Sequence, residues 1–539
     1  MAKRFLKQDL HSNSLQGLVV SFMKNNFIFY ILLFIICVLY LVLRSHSGFA
    51  YIHPDEPIAV RVIQNIQDTG EWDTNWRLAN LPNDFKIDQY NFSSYMVLSA
   101  ILIKLIPLNE AISRYDYINL VLILRLLSVF FQVLTIVMTY KIGKSLFASR
   151  RVGVAASVTV ALFPLMYQDS LYARPESFAA FLVLLVVLLA IGQYRKTSHL
   201  QFMVMAGLIG FLIACKISFL VLLAFPVGIL GRNYQASIYK NLALIGMLCT
   251  GLIIGFFAGA PYAPLNWSSY MSGIRSLLSQ YNGGQPPHGL PDGNLSDRLR
   301  YALGYFSSIG EGLFVLLAIG GILLLLKDKL YAFFIYACLF FAIIIYFSSK
   351  PLFFERNFSF SIPILSICVC YCILWCIERA KLGIPYKNIL FAIIIIAINI
   401  MPFLFIYDFN KRIMSGEYQL QRDYVKQNLS LQYGSPVIDL GWVLTDSALK
   451  SNMINTFSKE DKTFIIEIFG ANDKYSRHCV DLAVQEFGLR LVAELPSPFE
   501  SYQMPPSTFY TYHAPHYYYL LVPQSIRGTP EIHNSIQGP

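Results

Sequence analysis

The stretch whose reading decides the fold is FIFYILLFIICVLYLVLRSHSGFAYIHPDEP, residues 27–57. Its first 17 residues, 27–43, carry no charge, no glycine and no proline. As a helix at 1.5 Å per residue they extend about 26 Å, close to the roughly 30 Å of bilayer hydrocarbon. Lys3, Arg4, Lys7 and Lys24 precede the run and no small-x-small cleavage site follows it, so it reads as a retained anchor behind a cytoplasmic segment, 1–26. Beyond its outer end, His53-Pro54-Asp55-Glu56-Pro57 sets two adjacent carboxylates at the start of a helix-like pattern.

The same apolar signature recurs near 119–142, 152–167, 177–194, 241–260, 308–326, 330–348, 358–377 and 388–407, with two shorter runs in 200–232 split at Lys216. The chain is 55% hydrophobic and 14% charged, with a mean hydropathy of +0.51. Soluble domains carry about 25% charged residues, so a soluble globular protein is excluded. The expected fold is an α-helical polytopic membrane protein of about 11 transmembrane helices, 27–410, followed by a small C-terminal extracytoplasmic α/β domain, 411–539. In the tail, strand patterns fall at 436–440, 463–469, 489–495 and 516–522, with helical patterns near 421–429 and 477–487.

A net charge of +10 would suggest nucleic acid on a soluble chain, but here its placement follows the membrane, and no nucleic-acid partner is expected. With the N-terminus inside, the short inner loops collect 17 basic residues, opposed there by Asp9, Asp328 and Glu378. The long segments, 44–118, 261–307 and the tail, fall outside. Any chemistry is therefore expected on the far side of the membrane. The first outer loop is patterned: Ile58, Val62 and Ile66, with Ala59 and Ile63, recur at helical spacing, and 95–106 is apolar but too short to span, so both read as interfacial helices.

Several charged residues stand where charge is costly. Asp55 and Glu56 are either a base with its neighbour or a helix N-cap with a solvated one. Glu176, after Leu171-Tyr172-Ala173-Arg174-Pro175, opens a span, where a cap and a site role are both open, and Asp169 lies just before that turn. Arg125 sits about 9 Å into a span, at 1.5 Å per residue. It is a site residue, a snorkelling anchor, or half of a salt bridge to Asp116 or a first-loop carboxylate. Arg174, Lys216 and Arg356 put three cations at the outer hydrocarbon boundary, where they either bind a lipid phosphate or anchor the interface.

Absences narrow the chemistry. There is no P-loop, no G-x-G-x-x-G after a strand and no D-x-D, so a soluble nucleotide-sugar donor has no seat. No C-x-x-C pair occurs among the nine cysteines, and His53, His288, His513 and His516 lack zinc-ligand spacing. No cofactor is indicated, and a divalent metal would need ligands from distant loops.

Over residues 25–410 the chain resembles the GT-C superfamily of polytopic glycosyltransferases, in the branch of protein O-mannosyltransferases and the bacterial lipid A aminoarabinose transferase. The resemblance rests on Asp55-Glu56 after the first span, Arg125-Leu126-Leu127-Ser128, and Ala173-Arg174-Pro175-Glu176. It continues through Gly210-Phe211-Leu212-Ile213-Ala214-Cys215-Lys216, Gly259-Ala260-Pro261-Tyr262 and Glu355-Arg356-Asn357-Phe358. Many relatives have Tyr where this chain has Asn357. The resemblance implies inverting transfer of a sugar from a polyprenyl-phosphate carrier to an envelope glycan or glycolipid, outside the inner membrane and among membrane lipids. Asp55 would be the base, Glu56 the residue orienting it or the acceptor, and Arg174, Lys216 and Arg356 the grip on the donor phosphate, supported by Glu176, Arg125 and Asp169. Other readings are a transporter or flippase of a lipid-linked intermediate, a protein O-glycosyltransferase, and an envelope polymerase or ligase. Matching halves with discontinuous helices, which would favour transport, are not seen.

The charge asymmetry makes a topological prediction. A reporter fused after Ser525 should behave as extracytoplasmic, and cytoplasmic activity of that fusion would overturn the orientation.

Overall fold

The computed structural model describes residues 15–45, 56–79, 88–105, 117–195, 198–232, 238–283, 294–308, 313–327, 331–351 and 355–415, and, in the tail, 437–439, 464–469, 480–481, 484–485, 488–495 and 516–523. The first part is helical: α1 (Leu15–Ser45), α2 (Glu56–Thr69), α3 (Ser93–Leu105), α4 (Tyr117–Phe147), α5 (Arg150–Ala161), α6 (Pro164–Asp169), α7 (Glu176–Arg195) and α8 (His199–Cys215). A 3-10 turn, Ile217–Leu223, leads into α9 (Ala224–Arg232). Then come α10 (Ile238–Gly259), α11 (Trp267–Gly283), α12 (Leu295–Ser308), α13 (Leu313–Lys327), α14 (Tyr331–Ser348), a 3-10 turn at Glu355–Ser361, α15 (Ile362–Arg379) and α16 (Ile384–Ser415).

Among the described residues five helices are long and apolar enough to cross a membrane, at Asn119–Phe147, Glu176–Tyr194, Asn241–Gly259, Arg356–Arg379 and Ile384–Tyr407. Six shorter apolar helices accompany them, among them Phe29–Ser45 and His199–Cys215. The chain is a polytopic helical membrane protein.

Two breaks bear on the site. The 152–167 run is not one helix: α5 ends at Ala161 and α6 restarts at Pro164. Proline has no N–H to continue the ladder but fits a first turn. The 200–232 region divides at Lys216, which is extended (φ −147°, ψ 128°) between α8 and the 3-10 turn. α2 forms where the periodicity requires it, and Ile58, Ala59, Val62, Ile63 and Ile66 are all buried, together with Val60. Its apolar side packs into protein, against α3 and α4.

Glycine permits a close helix contact. α8 and α10 pack so tightly that a Cβ on Gly255 would overlap the Gly207 carbonyl, and one on Gly210 the Leu252 carbonyl. Without a water-driven hydrophobic term between helices in lipid, such small-residue contacts and their dispersion energy hold helices together. The tail carries β1 (Val437–Asp439), β2 (Phe464–Phe469), β3 (Leu489–Leu495) and β4 (His516–Pro523) in one sheet of order β1-β2-β4-β3. β1 and β2 are parallel and the other pairs antiparallel. The helical pattern near 421–429 lies outside the described residues, as does most of that near 477–487.

Gly255→Ala should lower the thermal midpoint in detergent, by the ~1–3 kcal/mol typical of overpacking. Gly246→Ala, where a Cβ meets nothing within 4 Å, should leave it unchanged or raise it. Equal shifts in the two variants would contradict the backbone contact.

Candidate active site

The site is assembled around two buried glutamates. Glu56, at the first position of α2, is fully buried and receives both Nε and Nη2 of Arg125 on α4, each at 2.8 Å. Its Oε1 also accepts the Ala173 backbone N–H at 2.6 Å. One turn along α4, the Ser128 hydroxyl donates to the Tyr172 carbonyl at 2.7 Å. Arg125 and Ser128 share a helix face by their spacing, and together they hold the 171–175 turn. Of the partners that the sequence left open for Arg125, the first-loop carboxylate Glu56 is paired with it, and Asp116 lies outside the described residues.

The turn delivers Arg174 and Glu176. Glu176 Oε1 accepts Arg174 Nη2 at 2.9 Å and, from the break after α8, Lys216 Nζ at 2.8 Å. The Arg174 and Glu176 side chains are almost wholly buried, and Lys216 is half-buried. Beneath both cations lies the Phe92 ring, 5.4 Å from Lys216 Nζ and 5.9 Å from Arg174 Cζ, a distance at which the negative ring face attracts them. Phe92 is held there at φ +69°, in the left-handed region that a bulky residue rarely visits. Its N–H donates to the Cys215 carbonyl at 2.7 Å, which ties the residue to the end of α8.

Lys216 and Arg356 share the lining of a cavity of about 490 Å³. Phe92 and Asn357 join them on its polar side, while Leu220, Leu277 and Ile343 are among its apolar walls. Asn357 Nδ2 donates to the Tyr281 hydroxyl at 3.1 Å, so α11 and the 355–361 turn close one side of the chamber. Arg174 is not on this surface; it stands behind Glu176. The three cations that look equivalent in sequence thus occupy two layers.

Asp169 ends α6 beside the same cluster, 7% exposed. Burial, together with the neighbouring Glu176 carboxylate, pushes its carboxyl up to about 7, against the opposing pull of Arg174 and Lys216. Asp55 lies outside the described residues. Among the described residues no three His, Cys, Asp or Glu side chains group as a metal site. Sequence reading missed Phe92 and Tyr281, and neither carries a local signal, because a lone aromatic in an apolar chain is unremarkable until its neighbours are known.

No protein-family model and no curated protein matches this chain. In structure it is similar to the Archaeoglobus fulgidus oligosaccharyltransferase in the apo form, at 15% identity and a TM-score of 0.47, covering 71% of this chain and 56% of that one. The same enzyme tethered with an acceptor peptide containing the NVT sequon matches at 14% identity and a TM-score of 0.45, covering 72% and 56%. ArnT from Cupriavidus metallidurans in the apo state matches at 12% identity and a TM-score of 0.48, covering 90% of this chain and 97% of that one. These likenesses are distant. The chain spans a little over half the length of the oligosaccharyltransferase.

Breaking one half of a buried ion pair strands the other charge, so Arg125→Met should destabilise the protein by ~3–5 kcal/mol. Combining it with Glu56→Leu should recover most of that loss. Thermal unfolding of the two singles and the double checks this, and simple additivity would contradict the pair.

Proposed function

We propose that this chain is a membrane glycosyltransferase that takes a sugar from a polyprenyl-phosphate carrier and passes it, with inversion, to an envelope glycan or glycolipid on the extracytoplasmic face of the inner membrane. The observation that carries this reading is the cavity of about 490 Å³, with Lys216 and Arg356 on one side and apolar walls elsewhere. A ligand matched to such a chamber is an anion attached to a hydrocarbon chain. The GT-C-like motifs support reading that anion as the phosphate of a lipid-linked sugar.

In the proposed reaction, the acceptor hydroxyl oxygen attacks the anomeric carbon while the bond from that carbon to the phosphate oxygen breaks. The bonding pair leaves with the phosphate, and the hydroxyl proton passes to Asp55, the general base. Asp55 directly precedes Glu56 in sequence, and Glu56 itself is held by Arg125 and the Ala173 N–H. Lys216 and Arg356 meet the charge gained by the leaving phosphate, an interaction stronger in the transition state than in the ground state. Arg174 is a positioning residue: it holds Glu176, which in turn holds Lys216.

The test is donor affinity and turnover in nanodiscs. Lys216→Ala and Arg356→Ala should each weaken binding of a polyprenyl-phosphate sugar by ~1.5–3 kcal/mol, the range for a lost charge-assisted hydrogen bond. Asp55→Asn should bind donor normally yet turn over about 10²–10⁴-fold more slowly. Wild-type affinity in both cation variants would overturn the phosphate site, and near-full activity of Asp55→Asn would remove the base.

A further inference from the structure

The end of α4 far from Arg125 carries a second charged cluster, which the proposed reaction does not use. Lys144 follows Arg125 by 19 residues, about 28 Å along the helix at 1.5 Å per residue. The chain turns there through Ala148, in the left-handed region at φ +49°, and restarts as α5 with Arg150 and Arg151 in its first turn. Glycines fix the corner: a Cβ on Gly153 would overlap the Tyr140 carbonyl, and one on Gly143 would press on the Gly153 backbone. Tyr140, Lys144 and Arg150 are thereby gathered against Phe29 and Tyr30 of α1. Arg150 Cζ lies 5.6 Å from the Phe29 ring, Lys144 Nζ lies 6.0 Å from the Tyr140 ring, and the Tyr30 and Tyr140 rings meet edge-on at 6.2 Å.

Three features of this corner call for an anion. Arginines in a first turn oppose the positive end of the helix dipole, and the first N–H groups of a helix have no partner within it. At the neighbouring end of α15, Glu378 meets Arg151 at 3.3 Å and Lys387 at 3.8 Å, and among the described residues no carboxylate lies within ion-pair distance of Lys141, Lys144 or Arg150. Tyr140 is 2% exposed, and its hydroxyl is buried without a hydrogen-bond partner among the described residues, within electrostatic reach of Arg150. An orphaned buried hydroxyl costs free energy until an acceptor or a water meets it. Beside the corner, Phe27, Tyr30, Ile31 and Phe34 form one exposed apolar stripe along α1. A ligand that answers both parts is a phosphate joined to hydrocarbon chains.

We propose that the corner between α1, α4 and α5 is a binding site for an anionic phospholipid with an uncharged headgroup, of the phosphatidylglycerol class. Arg150, Lys144 and the first N–H groups of α5 take the phosphate. The Tyr140 hydroxyl donates to a headgroup oxygen, directly or through a bridging water. The acyl chains lie along the Phe27–Phe34 stripe of α1. A zwitterionic lipid fits less well, because its ammonium would stand among Arg150 and Lys144. This site is separate from the donor chamber and does not depend on the glycosyltransferase reading.

The experiment titrates the full chain, stripped of lipid in detergent, with dioleoyl phosphatidylglycerol or dioleoyl phosphatidylcholine and reads bound lipid by native mass spectrometry. The tightest site should prefer phosphatidylglycerol by about tenfold, the scale of one charge-assisted contact. Arg150→Gln and Lys144→Gln should each remove most of that preference, and Tyr140→Phe part of it. Lys381→Gln, which removes an exposed cation from the α15–α16 connection, should leave it intact. Equal binding of the two lipids by the wild type would overturn the proposal, and so would an equal loss in Lys381→Gln, the mark of a diffuse basic surface. A merely structural role for Arg150 would lower the lipid-free thermal midpoint and keep the preference, which also counts against the site. Should Arg150→Gln fail to fold, Lys144→Gln, at a half-buried position, decides. Millimolar inorganic phosphate should not displace the lipid; displacement would make a soluble anion the occupant and overturn the lipid site.

Discussion

The bidentate pair between Glu56 and Arg125 is the interaction on which the candidate site depends. It joins α2 to α4, and through the Ala173 N–H it also fixes the turn that carries Arg174 and leads into Glu176. Two charges removed from water offset each other only when the geometry is good and the remaining lone pairs are filled. Here a fork of two nitrogens and a backbone N–H meet that requirement. The pair is weak evidence of stability for its own sake, but it confers position: three segments distant in sequence are held to one geometry.

From that anchor a second layer follows. Glu176 gathers Arg174 and Lys216 on a single oxygen, and the Phe92 ring supports both cations from below. Lys216 can reach Glu176 because α8 stops at Cys215 and the next residue is extended, which frees its side chain at the edge of the cavity. The same break offers the Cys215 carbonyl to the Phe92 N–H, so an energetically unfavourable backbone conformation at Phe92 is retained by a hydrogen bond and by ring contacts with two charges. Strain, helix termination and charge placement are three aspects of one local arrangement.

Much of the architecture was legible beforehand. Long uncharged runs have no stable alternative to a helix in lipid, because every backbone N–H and C=O must be paired within the segment. The split at Lys216 and the four tail strands follow from local pattern in the same way, with Phe464–Phe469 and Leu489–Leu495 falling within a residue of expectation. The 152–167 run shows the limit of hydropathy: it averages over Pro164, and the chain breaks there. In the site, the residue types at Glu56, Arg125, Arg174, Glu176 and Lys216 stood out because charge near hydrocarbon is expensive.

Sequence by itself determined that this is a helical membrane protein, where most of its helices and strands lie, and which charged residues needed an explanation. Those are local properties, set by the solvation of each segment and the periodicity of its side chains. Only the tertiary structure decided which charge answers which. Glu56 meets Arg125 across 69 residues and Ala173 across 117, and Lys216 meets Glu176 across 40. Such pairings depend on helix packing, on a glycine contact that brings α8 against α10, and on a chain break that turns Lys216 inward. A one-dimensional pattern carries the cost of burying each charge, but the partner that offsets it is chosen by the packing of the whole bundle.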